Sequence, residues 1–212
     1  MSDLPNRNKF ERKLTSSIAE YMGTINGELR SKKIRTSDAY WKTKSKDFAS
    51  VIETPVRDIV TQSLKKHGAD LRTKSGKALR DRLIADIVDD QTKSFHIFQL
   101  AQSRKIKDSL KGKKQTTDLI AMKADVIAGV AKSELLGRTI VTKANTMAAE
   151  GLADELNLKS PLDKWMTRPG YCSICSGVRK QPRKLWNKLG WRFENGPPAH
   201  PYCNCYIIYK NL

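Results

Sequence analysis

Cysteines and one histidine near the C-terminus form the group of side chains best suited to chemistry. Cys172 and Cys175 make a C-x-x-C pair, and His200, Cys203 and Cys205 follow in the pattern H-x-x-C-x-C. Thiolates and imidazole are the usual ligands of structural zinc. We predict a structural Zn²⁺ held by Cys172, Cys175, His200 and Cys203, because the H-x-x-C pair repeats the spacing of the first pair. Cys205 is the alternate fourth ligand, since residues two apart on a strand share a face.

Two other interpretations of these cysteines stay open. The thiols could form two disulfides, or they could be buried without any ligand. Residues 1–171 contain no cysteine, and this clustering fits a disulfide framework badly but fits a metal site in a reducing compartment. A full Cys/His shell leaves no open position for a water molecule, so we expect a structural zinc and no enzymatic activity.

Basic residues are dense around the same segment, where they alternate with Trp186 and Trp191. The candidate phosphate contacts are Arg179, Lys180, Arg183, Lys184, Lys188 and Arg192. The tryptophans could stack on bases, although a solvated basic surface over core tryptophans explains the pattern equally well. The whole chain has 40 Lys and Arg against 22 Asp and Glu, a net charge of +18, which favours an anionic partner such as nucleic acid.

Few other side chains suggest chemistry. His67 and His96 stand alone in helical patterns, where a surface or core histidine is the simpler interpretation. The acidic residues Asp81, Asp86, Asp89 and Asp90 are better explained as a solvated helix face than as a divalent-ion site. Two alternative functions remain, a zinc-supported nuclease that uses His200 or His96 and a zinc-ribbon nucleic-acid-binding protein.

Helical periodicity dominates the part of the chain that must position these residues. Apolar spacing predicts helices near 16–29, 40–68, 79–100 and 116–147. Ser17 and Glu20 have the spacing of a capping box, Pro55 is expected to kink the second helix or to restart it, and Gly137 is a candidate break in the fourth. Short strands are expected around 164–167, Trp186, Trp191 and 202–209.

The predicted fold class is therefore mainly α. We expect a basic helical region at 1–115, followed by a domain at 116–212 that contains a long helix and a zinc-clipped α+β module at 164–212. No apolar stretch approaches the roughly 18 residues of a membrane span, and the N-terminus lacks the layout of a secretory signal. We expect no membrane partner.

From about Ala128 onward the chain resembles the phage head-morphogenesis family of minor head proteins, typified by the F protein of phage Mu. The resemblance includes Arg138, an alanine-rich stretch that ends near Gly151, and Gly177 after the C-x-x-C pair. Its most specific part is the ending Pro197-Pro198-Ala199-His200-Pro201-Tyr202-Cys203-Asn204-Cys205. Relatives in which the last cysteine is Ser favour Cys203 over Cys205 as a ligand.

This resemblance implies a minor capsid protein of a tailed bacteriophage. Its expected partners are the portal and/or the major capsid protein, with multiple copies per particle and non-specific contact with DNA phosphates during assembly, packaging or ejection. The expected location is the capsid interior or portal vertex of the virion, after assembly in the host cytoplasm. Asn204 stands where the family often has Arg, a departure that removes no metal ligand.

Overall fold

Five helices form the body of the protein. The computed structural model describes residues 4–32, 37–112, 116–129, 131–167, 173–186, 196–197, 203 and 205–211. The helices are α1 (Arg7–Lys32), α2 (Asp38–Lys66), α3 (Lys74–Ser109), α4 (Thr117–Ala128) and α5 (Ala131–Glu155). The prediction of a mainly α protein is confirmed. Within the described residues, no helix is both long enough and apolar enough to span a lipid bilayer.

Hydroxyl side chains begin three of these helices. Ser37, Thr73 and Thr116 precede α2, α3 and α4, and each accepts a hydrogen bond from the backbone N–H three residues later. The capping box predicted at Ser17 is wrong, because α1 begins at Arg7 and Ser17 lies inside it. Its hydroxyl donates to the carbonyl of Lys13 instead, at 3.2 Å.

The restart predicted at Pro55 is wrong, because α2 continues through this residue. Pro55 lies inside α2 and is buried, with Ile52, Val56 and Ile59 buried around it. A proline inside a helix loses one backbone hydrogen bond and costs about 3 kcal/mol. Burial of apolar side chains on both sides of Pro55 offsets this cost, since each contributes about 1.5–3 kcal/mol.

The predicted fourth helix is divided, but at Gly129 and not at Gly137. Gly129 ends α4 in an extended conformation, and a Cβ at this position would lie 2.4 Å from the carbonyl oxygen of Asp125. Gly137 lies within α5, where a Cβ would lie 2.5 Å from the hydroxyl oxygen of Thr15. Its missing side chain therefore lets α5 approach α1 closely.

One hydrophobic core joins all five helices. Helix α2 packs along α3, and α5 contacts α1, α2 and α3, while α4 packs on α1. The rings of Phe48 and Phe95 stack with centroids 4.2 Å apart, and Trp41 donates its indole N–H to Ser103 at 2.9 Å. The predicted division between residues 115 and 116 stays a prediction, although helices from both sides of it share this core.

A small module of short elements follows α5 and has its own core. Its elements are β1 (Lys164–Met166), α6 (Ser173–Val178), α7 (Arg183–Trp186) and β2 (Tyr206–Ile208). Strands β1 and β2 pair antiparallel, with Trp165 opposite Ile207. The strand expected at Trp186 is wrong, because this residue ends α7, with its indole ring 5.3 Å from that of Trp165. The second core also contains Ala149 and Ala153 of α5, which joins the module to the helical body.

We predict opposite effects for two glycine-to-alanine substitutions in helices. Gly137→Ala places a methyl group against Thr15 and should lower the free energy of unfolding by about 1–3 kcal/mol. Gly23→Ala is the matched control, because nothing lies within 4 Å of a Cβ there. It should raise the free energy of unfolding by about 0.5–1 kcal/mol. Urea unfolding measures both, and equal effects would show that α5 does not approach α1 in this way.

Candidate metal centre

Three cysteines meet in the second core. Cys175 lies in α6, and Cys203 and Cys205 lie just before β2. The three Sγ atoms lie within 4.8 Å of one another, with 3.9 Å between those of Cys175 and Cys203, and each residue is only 1% exposed. Cys203, Cys205, Ile207 and Tyr209 are all buried, so the chain near β2 turns alternate residues inward. The prediction that Cys203 and Cys205 share a face is confirmed.

The spacing of the three thiols suits a tetrahedral metal. Zinc bonded to sulfur at about 2.3 Å in a tetrahedron holds its sulfur atoms about 3.8 Å apart. The 3.9 Å separation of Cys175 and Cys203 agrees with this value and is far longer than the roughly 2.05 Å of a disulfide. None of the three described cysteines is in a disulfide, so the two-disulfide alternative does not fit.

Mutual hydrogen bonds and burial raise the pKa of two of these thiols, Cys175 and Cys205. Hydrogen bonds with Cys203 and Cys205, followed by burial, raise the pKa of Cys175. The hydrogen bond with Cys175 lowers the pKa of Cys205, but the bond with Cys203 and burial outweigh it and raise this pKa to about 12. Three thiolates buried together need a cation to offset their charge. The site therefore suits either a bound metal ion or three neutral thiols.

The remaining predicted ligands, Cys172 and His200, lie outside the described residues. The structure brings Cys203 and Cys205 into the cluster together, so both thiols can be ligands, and the choice of Cys203 with Cys205 as the alternate stays a prediction. Three thiolates leave one position in a tetrahedral shell. Either Cys172 or His200 could supply that fourth ligand.

A hydrogen-bonded chain connects the cysteine cluster to the start of α1. The hydroxyl of Thr142 in α5 donates to the carbonyl oxygen of Cys203 and accepts from the guanidinium of Arg7. Arg7 is 2% exposed and also forms an ion pair with Glu11 at 2.6 Å. This chain holds the backbone of Cys203 against the helical body. Neither Thr142 nor Arg7 is predicted as a site residue from the sequence.

Buried ion pairs fasten the module to α5. The carboxylate of Glu150 accepts from Arg183 at 2.5 and 3.1 Å, from the hydroxyl of Tyr209 at 2.6 Å and from Lys159 at 3.1 Å. Arg183 also contacts Asp163, which is fully buried. Burial opposes the charge of Arg183, but Glu150 outweighs it and raises the pKa of the guanidinium. Burial and then Glu150 raise the pKa of Tyr209, so its hydroxyl stays a donor.

The predicted phosphate contacts separate into different environments. The side chain of Arg183 is 17% exposed and bound to two carboxylates, so the structure places it in an internal network and not on a DNA-facing surface. Trp186 is 1% exposed beneath this guanidinium and cannot stack on a base. Arg179, Lys180 and Lys184 are exposed. The predicted contacts Lys188 and Arg192 lie outside the described residues.

Within the part of the chain that the structure describes, no other group of three His, Cys, Asp or Glu side chains is arranged to hold a metal ion. Asp89 pairs with Lys93 at 2.6 Å and Asp90 with Lys143 at 2.5 Å, as expected for a charged helix surface. His96 lies 3.1 Å from Asp38 of α2, within the helical body.

One signal in the sequence could have revealed Glu150. It lies in the segment Ala148-Ala149-Glu150-Gly151, where a single acid stands among small residues. Small residues mark a helix face that packs closely, and a charge on such a face needs a buried partner. The identity of that partner, Arg183, has no comparable signal in the local sequence.

Comparisons with protein-family models, with curated proteins and with solved structures find no match to this chain. The resemblance to phage head-morphogenesis proteins therefore stays a prediction that rests on the residues quoted above.

We predict that removing the charge of Glu150 destabilises the protein strongly. Glu150→Gln leaves Arg183 buried with less compensation and should lower the free energy of unfolding by about 3 kcal/mol. Glu155→Gln, on the same helix, breaks only a 3.7 Å exposed pair with Arg82 and should cost less than about 0.5 kcal/mol. Urea unfolding followed by tryptophan fluorescence compares them, and a similar small loss in both variants would contradict this role of Glu150.

Proposed function

We propose that Cys175, Cys203 and Cys205 hold a structural Zn²⁺ together with Cys172 or His200. The observation that carries this proposal is the buried group of three thiols within 4.8 Å of one another, in which the sulfur atoms of Cys175 and Cys203 lie 3.9 Å apart. Thiolates favour zinc over magnesium or calcium, which prefer oxygen ligands. The ion would join α6 to the segment before β2 and so close the module.

The size of the module explains why a metal would be useful. Its core contains short elements and two strands of three residues each, too little for independent stability. Thiolate coordination makes the free energy of metal binding part of the free energy of folding. A buried, complete shell offers no position for substrate, so we propose a binding protein and not an enzyme.

We predict that the purified protein contains about one zinc ion per chain and that Cys175→Ala removes it. Loss of the ion should unfold residues 164–212 and change the fluorescence of Trp165 and Trp186, while α1–α5 keep most of the helical circular dichroism. Ser176→Ala is the matched control, because Ser176 is exposed on the same short helix. If no stoichiometric zinc is found, or if strong chelation leaves the tryptophan fluorescence unchanged, the thiols are unligated and this proposal is wrong.

For the biological role we propose a minor capsid protein of a tailed bacteriophage that docks on the portal or the inner capsid shell. The support is the resemblance in the C-terminal segment, above all the ending that runs from Pro197 to Cys205 after the C-x-x-C pair. The net charge of +18 is compatible with a position next to packaged DNA. In this role the zinc module would keep the docking part of the chain folded.

We predict that the protein co-purifies with a portal-like ring or with mature virions. A tagged copy expressed during phage growth should be found by mass spectrometry in particles and in ring-shaped assemblies seen by electron microscopy. Ser176→Ala should enter particles as the wild type does, whereas Cys175→Ala should be excluded because its module is unfolded. Absence of the wild-type protein from both preparations would reject the capsid role and leave the zinc proposal standing.

A further inference from the structure

A groove between α1, α2 and the first turns of α3 carries a concentration of positive charge. Its volume is about 490 Å³, within the range of ligand-binding sites. The cations that line the groove are Lys9, Lys13, Arg57, Lys65 and Arg80. Asp58 is the acid among the lining residues, and the side chains of Asn6, Thr61 and Gln62 add polar groups.

The cations in this groove are available to an external anion. Lys9 and Lys65 are exposed, and their amines have no acidic partner among the described residues. Lys13 pairs with Asp58 at 3.1 Å with both side chains about half exposed, and the pair of Arg57 with Glu53 is similar. Asp81 pairs with Arg80 at 2.7 Å and lies 3.6 Å from Arg57, and its side chain is also about half exposed. Exposed pairs of this kind contribute only about 0–1 kcal/mol. A phosphate group can therefore compete for these cations.

The N-terminus of α1 adds to the positive electrostatic potential of the groove. Asn6 precedes the helix, Lys9 and Lys13 lie on its first two turns, and no acidic residue occupies the first turn. The partial positive charge of the helix N-terminus is therefore not neutralised by its own residues. Arg57 can present a planar pair of donors to phosphate oxygens, and the hydroxyl of Thr61 can donate one more hydrogen bond.

We propose that this groove binds the phosphate backbone of nucleic acid without reading its sequence. The lining offers cations and small polar donors, while its aromatic residue Phe10 is only 7% exposed and cannot stack on a base. Neither zinc nor a capsid role is needed for this binding, because the groove is formed by α1, α2 and α3. The groove is a second candidate phosphate contact, separate from the exposed Arg179, Lys180 and Lys184 of the C-terminal segment.

Two double variants of equal charge test the groove. Lys9→Gln/Lys65→Gln removes the two unpaired amines, and Lys42→Gln/Lys105→Gln removes two exposed lysines elsewhere. Lys42 lies about 35 Å from Lys65 along α2 at 1.5 Å per residue. Lys105 is near the same far end, where Trp41 contacts Ser103. Fluorescence anisotropy with a duplex DNA of random sequence gives the affinity at several salt concentrations, and circular dichroism checks that both variants stay folded.

The groove variant should bind DNA at least about ten-fold more weakly at 0.1 M salt, and the slope of log K against log salt should fall by about 2. In the control variant, the slope of log K against log salt should change by less than about half as much. An equal loss of DNA affinity in both variants would show that binding depends on the overall charge and not on the groove, and would overturn the proposal. So would sequence-selective binding that resists salt. Binding to vesicles rich in phosphatidylserine is measured as well. If the groove variant loses vesicle binding but keeps its DNA affinity, the groove binds membranes and the proposal is wrong.

Discussion

The ion pair between Glu150 and Arg183 is the interaction on which the arrangement of the C-terminal module depends. A carboxylate buried on the close-packed face of α5 is costly unless cations and donors surround it. Arg183 comes from α7, and Tyr209 comes from the end of the chain after β2, so both segments must fold back onto the same point of α5. Hydrophobic contacts alone would allow these two segments to pack on α5 in other positions, whereas the bidentate ion pair between Arg183 and Glu150 permits very few.

The contacts of the module with Glu150 also set the geometry of the cysteine cluster. Tyr209 and Cys205 lie on the same inward face of the chain near β2, so the contact of Tyr209 with Glu150 also sets the orientation of the thiols. Thr142 fixes the backbone at Cys203 from another turn of α5. Three thiols from two separate segments are thus held at a spacing that a metal can use without rearranging the body. A metal ion would then supply the free energy that this small module needs to stay folded in that position.

The high positive charge of the chain serves more than one purpose. Arg183 and Arg7 are internal and hold the two cores together, although both belong to the basic excess counted in the sequence. Other cations stay at the surface, and two that line the groove between α1, α2 and α3, Lys9 and Lys65, have no acidic partner among the described residues. A count of charges cannot separate these groups, because an arginine on a buried network and an arginine in an open groove contribute equally to it.

The sequence by itself determined the features that depend on local order. Apolar spacing indicated most of the helical content, and alternation near β2 correctly placed Cys203 and Cys205 on one face, because both patterns reflect one element with one buried side. Tertiary structure decided whether Pro55 would be tolerated, whether Gly137 would break or pack a helix, and which cation Glu150 would bind. These outcomes depend on which surfaces of distant segments meet, and the free energy of that contact exceeds the local preference of a proline or a glycine.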